Sequence, residues 1–196
     1  MTPVTPAGSS AKPILTVGPD QVLHRGQFLT LMQRPFLDSR SSRCGHWEYV
    51  ERKNKGRVVT VVGITEQDEL ILTKTLRLPF GREGEPVLEF CAGLPDREGE
   101  CEVDLARREL LEETGYVCKN ICPLVSGVIS AGLTSDEMAI YVGTGATKVQ
   151  APKLEPAEVI EVVLVPKTKF RALLSDPPDG LKVDLKLWAL LPLLCE

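Results

Sequence analysis

Apolar positions along the chain change their period three times, and the changes outline the fold. Val58–Ile64 and Leu70–Leu76 are dense in Val, Ile, Leu and Thr, with the polar run Glu66-Gln67-Asp68-Glu69 between them. That pattern predicts two strands joined by a turn. Pro86–Cys91 reads as a short strand running straight into Gly93. From Glu102 to Thr114 the apolar residues Leu105, Ala106, Leu110 and Leu111 recur at helical spacing, which predicts a helix. Val125–Ser130 and Met138–Val142 return to strand character around the loop Ala131–Glu137, and Val159–Val165 is a strand ended by Pro166. Thr168–Leu174 and Asp184–Leu194 read as helices, the second with Leu185, Trp188 and Leu191 on an apolar face. Upstream, Gln27–Met32 and His46–Arg52 predict strands of a small N-terminal sheet. The Pro-, Thr-, Ser-, Gly- and Ala-rich start reads as a mobile tail. Strands on both sides of a helix, with more helix at the end, predict an α/β fold whose mixed sheet is covered on both faces. The expected division is a tail over 1–19, a β segment over 20–54 and a principal domain over 55–196.

The helix over 102–114 carries the candidate chemistry. Glu109, Glu112 and Glu113 stand at i, i+3 and i+4, so three carboxylates share one face. A merely solvated helix would alternate its charges. Converging carboxylates suit a hard divalent cation such as Mg²⁺, which takes oxygen ligands together with phosphate oxygens. Arg108 can orient these acids by charge-assisted hydrogen bonds, whereas Arg107 reads as a solvated side chain. Gly115 ends the helix where a positive φ is cheap in glycine.

Composition narrows the setting. A net charge of −4 gives no sign of a nucleic-acid binder, so a phosphorylated substrate needs local positive charge or metal. Nothing approaches the roughly 18 apolar residues of a membrane span, and the N-terminus lacks the pattern of a secretory leader. The six cysteines form no C-x-x-C pair and only two histidines are present, so a zinc site is not expected. A chain of this length builds its own core, and free thiols in a cytoplasmic protein are the expectation.

The stretch Gly93–Tyr116 resembles the signature of the Nudix hydrolases, G-x5-E-x7-R-E-U-x-E-E-x-G-U, with U a bulky apolar residue. Arg108-Glu109-Leu110-Leu111-Glu112-Glu113-Thr114-Gly115-Tyr116 fills the last nine positions, and Glu100 lies at the required distance before Arg108. Six residues instead of five separate Gly93 from Glu100, so the loop Leu94–Gly99 is one residue longer than the signature. The resemblance implies a Nudix-type α/β/α sandwich with a mixed sheet. It also implies Mg²⁺, with Mn²⁺ as an alternative ion, held by Glu109, Glu112, Glu113 and the Ala92 carbonyl, with Glu100 a weaker candidate ligand.

Flanking segments are similar to the ADP-ribose and nucleotide-sugar pyrophosphatase branch. Leu88-Glu89-Phe90-Cys91-Ala92-Gly93-Leu94 resembles that branch's E-x-P-A-G-L, with Cys91 in place of proline. Thr75-Leu76-Arg77-Leu78-Pro79 resembles Q-x-R-P-P, and Ser130–Glu137 resembles S-P-G-x-S-x-E, with Ala131 in place of proline. The likeness implies hydrolysis of the diphosphate of a nucleoside diphosphate sugar, ADP-ribose first and a UDP-sugar or another nucleotide sugar second. A nucleotide-binding sensor without catalysis is a third reading, which the complete set of signature glutamates disfavours. By the same likeness Arg77 holds the diphosphate. Phe28, Trp47, Arg52 and Leu133 contact the rest of the substrate, with Phe28 and Trp47 stacking on the base unless they are core residues. Glu158 is the implied general base, with Glu161 the runner-up, and Glu112 and Arg108 share the catalytic work. The resemblance of Gly26–Arg52 to relatives that exchange this region implies a homodimer.

Overall fold

The computed structural model describes residues 14–53 and 56–194. The described chain divides into two compact units. One runs up to Lys53 and includes Ser130–Ser135; the other comprises the rest.

The first unit is a four-stranded sheet. Its strands are β1 (Leu15–Val17), β2 (Gln21–Arg25), β3 (Leu29–Asp38) and β4 (Arg43–Arg52). β3 pairs antiparallel with all three others, and with β4 over its whole length from Leu29↔Arg52 to Asp38↔Arg43. β1 lies inside the stretch read from sequence as tail. Leu15, Thr16 and Val17 pair with Asp38, Leu37 and Phe36, and such pairing orders a short segment that composition marks as mobile. The part of that expected tail over 1–13 falls outside the described residues. Among the described residues only Thr30 and Met32 of this unit are buried.

The second unit is built on β5 (Val58–Thr65), β6 (Glu69–Arg77), β7 (Glu85–Glu89), β8 (Cys91–Gly93), β9 (Tyr116–Val117), β10 (Asn120–Val128), β11 (Glu137–Lys148), β12 (Ile160–Pro166) and β13 (Lys182–Val183). β11 runs parallel to β5, and β13 runs parallel to β7. β5–β6, β6–β7, β6–β12, β5–β8 and β10–β11 are antiparallel, so the sheet is mixed as expected. β10 and β11 are both longer than the apolar runs predicted, because pairing from Asn120↔Thr144 to Val128↔Glu137 extends them into polar sequence.

Three helices complete the unit: α1 (Glu102–Thr114), α2 (Lys167–Ser175) and α3 (Leu185–Leu194). The period of two along the strands sorts side chains to opposite faces. Val59, Val61, Ile71 and Cys91 pack with Leu105, Ala106 and Leu110 of α1. Val62, Leu70, Leu72, Leu88 and Phe90 pack with Phe170 and Leu174 of α2 and with Leu187, Leu190, Leu191 and Leu194 of α3. Helices therefore cover both faces, the α/β/α arrangement expected. The described cysteines are all free. Among the described residues no helix is long and apolar enough to cross a membrane.

Candidate active site

The site is assembled where β7 passes through Phe90 into β8 and meets α1. Alternation decides what points there. Leu88 and Phe90 join the α2–α3 core, so Glu89 and Cys91 face the α1 side. β8 then pairs with β5 through Thr60↔Ala92 and Val59↔Gly93, which brings Gly93 against the helix. A Cβ on Gly93 would lie 2.0 Å from Glu109 Cδ, so a larger residue there would push this carboxylate out of its present place. At its start α1 is tied to the sheet by Glu102, which accepts from Arg57 Nε at 2.7 Å and from the Tyr141 hydroxyl at 3.1 Å. At its end Gly115 adopts φ 79° and its amide bonds to the Leu111 carbonyl. A side chain there would run into the Gln150 carbonyl at 2.1 Å.

Arg108 is the hub. It donates to both carboxylate oxygens of Glu100, at 2.8 and 3.0 Å, and to Asp96 at 2.6 Å. Its Nη1 lies 2.8 Å from Glu109 Oε1 and 3.0 Å from Glu112 Oε2. These hydrogen bonds hold the Glu100 carboxyl below its ordinary range. One guanidinium cannot neutralise four acids. Glu109 is pushed up to about 7, chiefly by burial and further by the charges of Glu112 and Asp96, against the downward pull of Arg108. Glu113 is likewise pushed up to about 7, first by burial and then by Glu109, Glu158 and Glu89, while the Cys91 thiol beside it pulls the other way. Cys91 is fully buried, and burial followed by Glu113 raises its thiol well above the ordinary range.

Glu109, Glu112 and Glu113 offer only oxygens as ligands, and these acids outnumber the Arg108 guanidinium that faces Glu109 and Glu112. That donor set fits a hard divalent cation. Among the described residues no three acidic, His or Cys side chains already converge on a single point. Arg108 holds Glu109 and Glu112, and Cys91 faces Glu113. Glu158, on the loop before β12, raises the Glu113 pKa by its charge, and its Oε2 accepts the Glu155 amide at 2.8 Å. Glu161 instead sits on β12 and pairs with Lys74 at 3.0 Å. Arg77, at the end of β6, donates to Glu89 at 2.8 Å.

Four other residues singled out from sequence lie in the first unit. Phe28 is 72% and Trp47 53% exposed, so neither is core. Trp47 Nε1 donates to the Gly132 carbonyl at 3.1 Å. The ring lines a cleft of about 320 Å³ with Phe36, Tyr49, Arg34 and Ala131. The Leu133 carbonyl accepts the Val50 amide at 2.8 Å, and Arg52 ends β4.

Sequence reasoning assigned no role to Glu89, Asp96 or Arg97. Glu89 is buried, and burial raises its carboxyl despite Arg77. The signal was a single acid between Leu88 and Phe90 in an otherwise apolar strand. Asp96 and Arg97 stand in the lengthened loop, and nothing in their spacing announces that one meets Arg108 and the other Glu112.

Comparison with known proteins agrees with this architecture. The NUDIX domain matches residues 54–184, and the chain belongs to the Nudix family. A Caenorhabditis elegans protein named putative nudix hydrolase 2 is 31% identical over 170 residues, covering 80% of this chain and 74% of that one. The ADP-ribose pyrophosphatase of Escherichia coli K12 is 38% identical over 79 residues, 39% of this chain and 37% of its own. The GDP-mannose pyrophosphatase of Yersinia enterocolitica is 32% identical over 114 residues, 55% and 58% of the two chains. This chain thus spans between 37% and 58% of the length of those two bacterial relatives. A crystal structure described as an ADP compounds hydrolase shares the fold, with a TM-score of 0.76, 24% identity and 94% of each chain covered.

Proposed function

We propose that this chain is a Mg²⁺-dependent pyrophosphohydrolase of nucleoside diphosphate sugars, with Mn²⁺ able to substitute. ADP-ribose, cleaved to AMP and ribose 5-phosphate, is the first substrate. The observation that carries the reading is the acid face of α1, with Glu109 and Glu112 held by Arg108, Glu113 buried beside Cys91, and Gly93 approaching closely.

Glu109, Glu112, Glu113 and the Ala92 carbonyl would hold the ion. When bound, it neutralises phosphate charge and polarises the phosphorus–oxygen bonds. Arg108 keeps Glu109 and Glu112 in register on the helix face. Arg77 presents a guanidinium to the diphosphate from the end of β6, where Glu89 fixes its direction. Glu158 takes a proton from the attacking water; Glu161 is engaged by Lys74 and is the weaker candidate. Trp47, with Phe28, would stack on the base, while Arg52 and Leu133 add further contacts. The exposure of both rings supports this, since an aromatic face left open is available to a base. The homodimer and the cytoplasmic setting belong to the same proposal. A monomeric mass by light scattering at micromolar concentration, in a fully active sample, would remove the homodimer.

A second reading, cleavage of a UDP- or GDP-sugar, is favoured by Ala131 and Cys91 at positions where the ADP-ribose pattern has proline. The relative named GDP-mannose pyrophosphatase points the same way. The test is a panel of ADP-ribose, ADP-glucose, UDP-glucose, GDP-mannose and NADH with Mg²⁺, reading released nucleotide monophosphate. The largest kcat/KM on ADP-ribose is the expected outcome. A preference for UDP-glucose or GDP-mannose moves the assignment to the second reading. Binding without turnover of any of the five makes the chain a nucleotide sensor.

A further inference from the structure

The loop between Gly93 and Glu100, one residue longer than the signature, makes defined contacts. The loop Leu94–Gly99 is pinned at several points. Pro95 packs against Gly56, where a Cβ would lie 2.5 Å from Pro95 Cγ. Asp96 is held by Arg108 at 2.6 Å. The Glu100 amide turns back onto the Arg97 carbonyl at 3.2 Å. Gly99 takes φ 77° to close the turn. Pinned in this way, the loop delivers Arg97 to the acid face, where its Nη2 lies 3.1 Å from Glu112 Oε1. The other oxygen of Glu112, Oε2, is taken by Arg108. Both oxygens of this carboxylate therefore face a guanidinium.

The two arginines differ. The Arg108 side chain is 10% exposed and held by Glu100 and Asp96 as well, so it is fixed. The Arg97 side chain is 59% exposed, and Glu112 is the one acid paired with it among the described residues. Beside it runs a groove of about 470 Å³ along α1, lined by Arg97, Arg107, Arg108, Leu111, Cys118 and Ile121, into which a displaced guanidinium can move.

We propose that Arg97 is an exchangeable cap on Glu112, competing with the divalent cation for this carboxylate and leaving it when the cation binds. A divalent cation held by Glu112 would compete with Arg97 for this carboxylate, and its double charge would favour it, leaving the arginine free to move into the groove. The longer loop thus sets how much cation is needed to fill the site. The idea rests on the proposed cation binding at the α1 face.

The test measures Mn²⁺ binding to the substrate-free protein by calorimetry, which reads occupancy without turnover. An exposed ion pair of this type is weak, so R97A should bind Mn²⁺ about two- to fivefold more tightly than the unmodified protein. R107A removes the same charge from the same groove without touching Glu112. It should shift the affinity less, and raising the salt should shrink its effect. E112Q should weaken Mn²⁺ binding in both the original and the R97A background and abolish the difference between them. If E112Q weakens binding but R97A equals R107A or the original, the cap is wrong and the cation site stands. If the original protein binds no Mn²⁺, or E112Q leaves its affinity unchanged, the cation site falls and the cap with it.

Discussion

Two pairs of strands of similar length bury very different things. β5 and the part of β6 before Leu76 are mostly buried, each sending alternate residues into cores on opposite faces of one sheet. β3 and β4 pair over ten residues, yet of the two only Thr30 and Met32 of β3 are buried, while Leu29, Leu37 and Trp47 are at the surface. The second unit thus carries its stability in its own interior. Among its described residues the first unit has almost no buried core, and sheets of that kind are marginal alone. Its exposed Val17, Val22, Leu23 and Phe28 are surface of the sort that binding covers. The lesson is that equal pairing does not mean equal anchoring: substitutions in the two units should fail in different ways.

The sharpest contrast should come from chemistry in the second unit. Glu112→Gln and Glu113→Gln are each expected to lower kcat by at least about a hundredfold, since a lost ligand removes several kcal/mol of transition-state stabilisation. Thermal melts should show Glu113→Gln folded and no less stable, because a neutral amide avoids the burial cost that raises this carboxyl. Near-normal turnover in both variants would sink the cation assignment.

Next comes stability. Arg108→Ala leaves Glu100, Glu109, Glu112 and Asp96 without their common partner. Breaking a buried pair on one side costs about 3–5 kcal/mol, which chemical denaturation would register. In the first unit Arg34 also holds an acid, Asp20, in a two-pronged pair at 2.5 and 2.6 Å, but in the open. Arg34→Ala should therefore move the denaturation midpoint far less. Equal losses would erase the contrast between the two regions.

The third difference is in pH. Glu109 and Glu113 carry pKa values near 7 in the folded chain against 4.5 for the ordinary group. Between those values the folded state holds more protons than the unfolded one, so their contribution to stability falls as pH rises from about 4.5 to 7 and stays low above. The melting temperature of the metal-free protein should drop over that window. Added Mg²⁺ should raise it more at pH 8 than at pH 5. A Mg²⁺ shift independent of pH would mean that the ion does not sit on these acids.

Smallest is the effect of Trp47→Ala in the first unit. If the ring stacks on a base, the variant loses about 1–3 kcal/mol of binding. That loss should appear in KM with kcat little changed, because the base is held alike in ground and transition states. With the ring half exposed, the melting temperature should barely move. A large thermal shift at constant KM would discard the stack.

Much of the fold was legible in the chain. The helix over 102–114 lies where the apolar spacing predicted it, with Gly115 closing it in the left-handed conformation. Local propensity and periodicity decide such an element, and both are written in sequence. The ends of β10 and β11 were less legible, because strand length there follows the partner's hydrogen bonds into polar residues. β1 was missed for the same reason: three residues in a Pro- and Ser-rich stretch become a strand only because β3 offers an edge.

The candidate site divides along the same line. The i, i+3, i+4 spacing alone determined that Glu109, Glu112 and Glu113 share a face, since helix geometry converts sequence separation directly into position. The chain also places glycine at 93 and 115, but only the folded structure shows the Glu109 carboxylate that lies against the one and the Gln150 carbonyl that leaves no room for a side chain at the other. What the tertiary structure decided is the electrostatics. Whether a carboxylate is buried, and which guanidinium faces it, depends on loops and strands far away in sequence. Glu89 became a buried acid through the pairing of β7 with β6. Asp96 and Arg97 reached Arg108 and Glu112 through a loop whose path no periodicity encodes. Spacing along one element fixes neighbours to within a turn. Charge–charge distances across elements are set by packing, and the chemistry of this site depends on them.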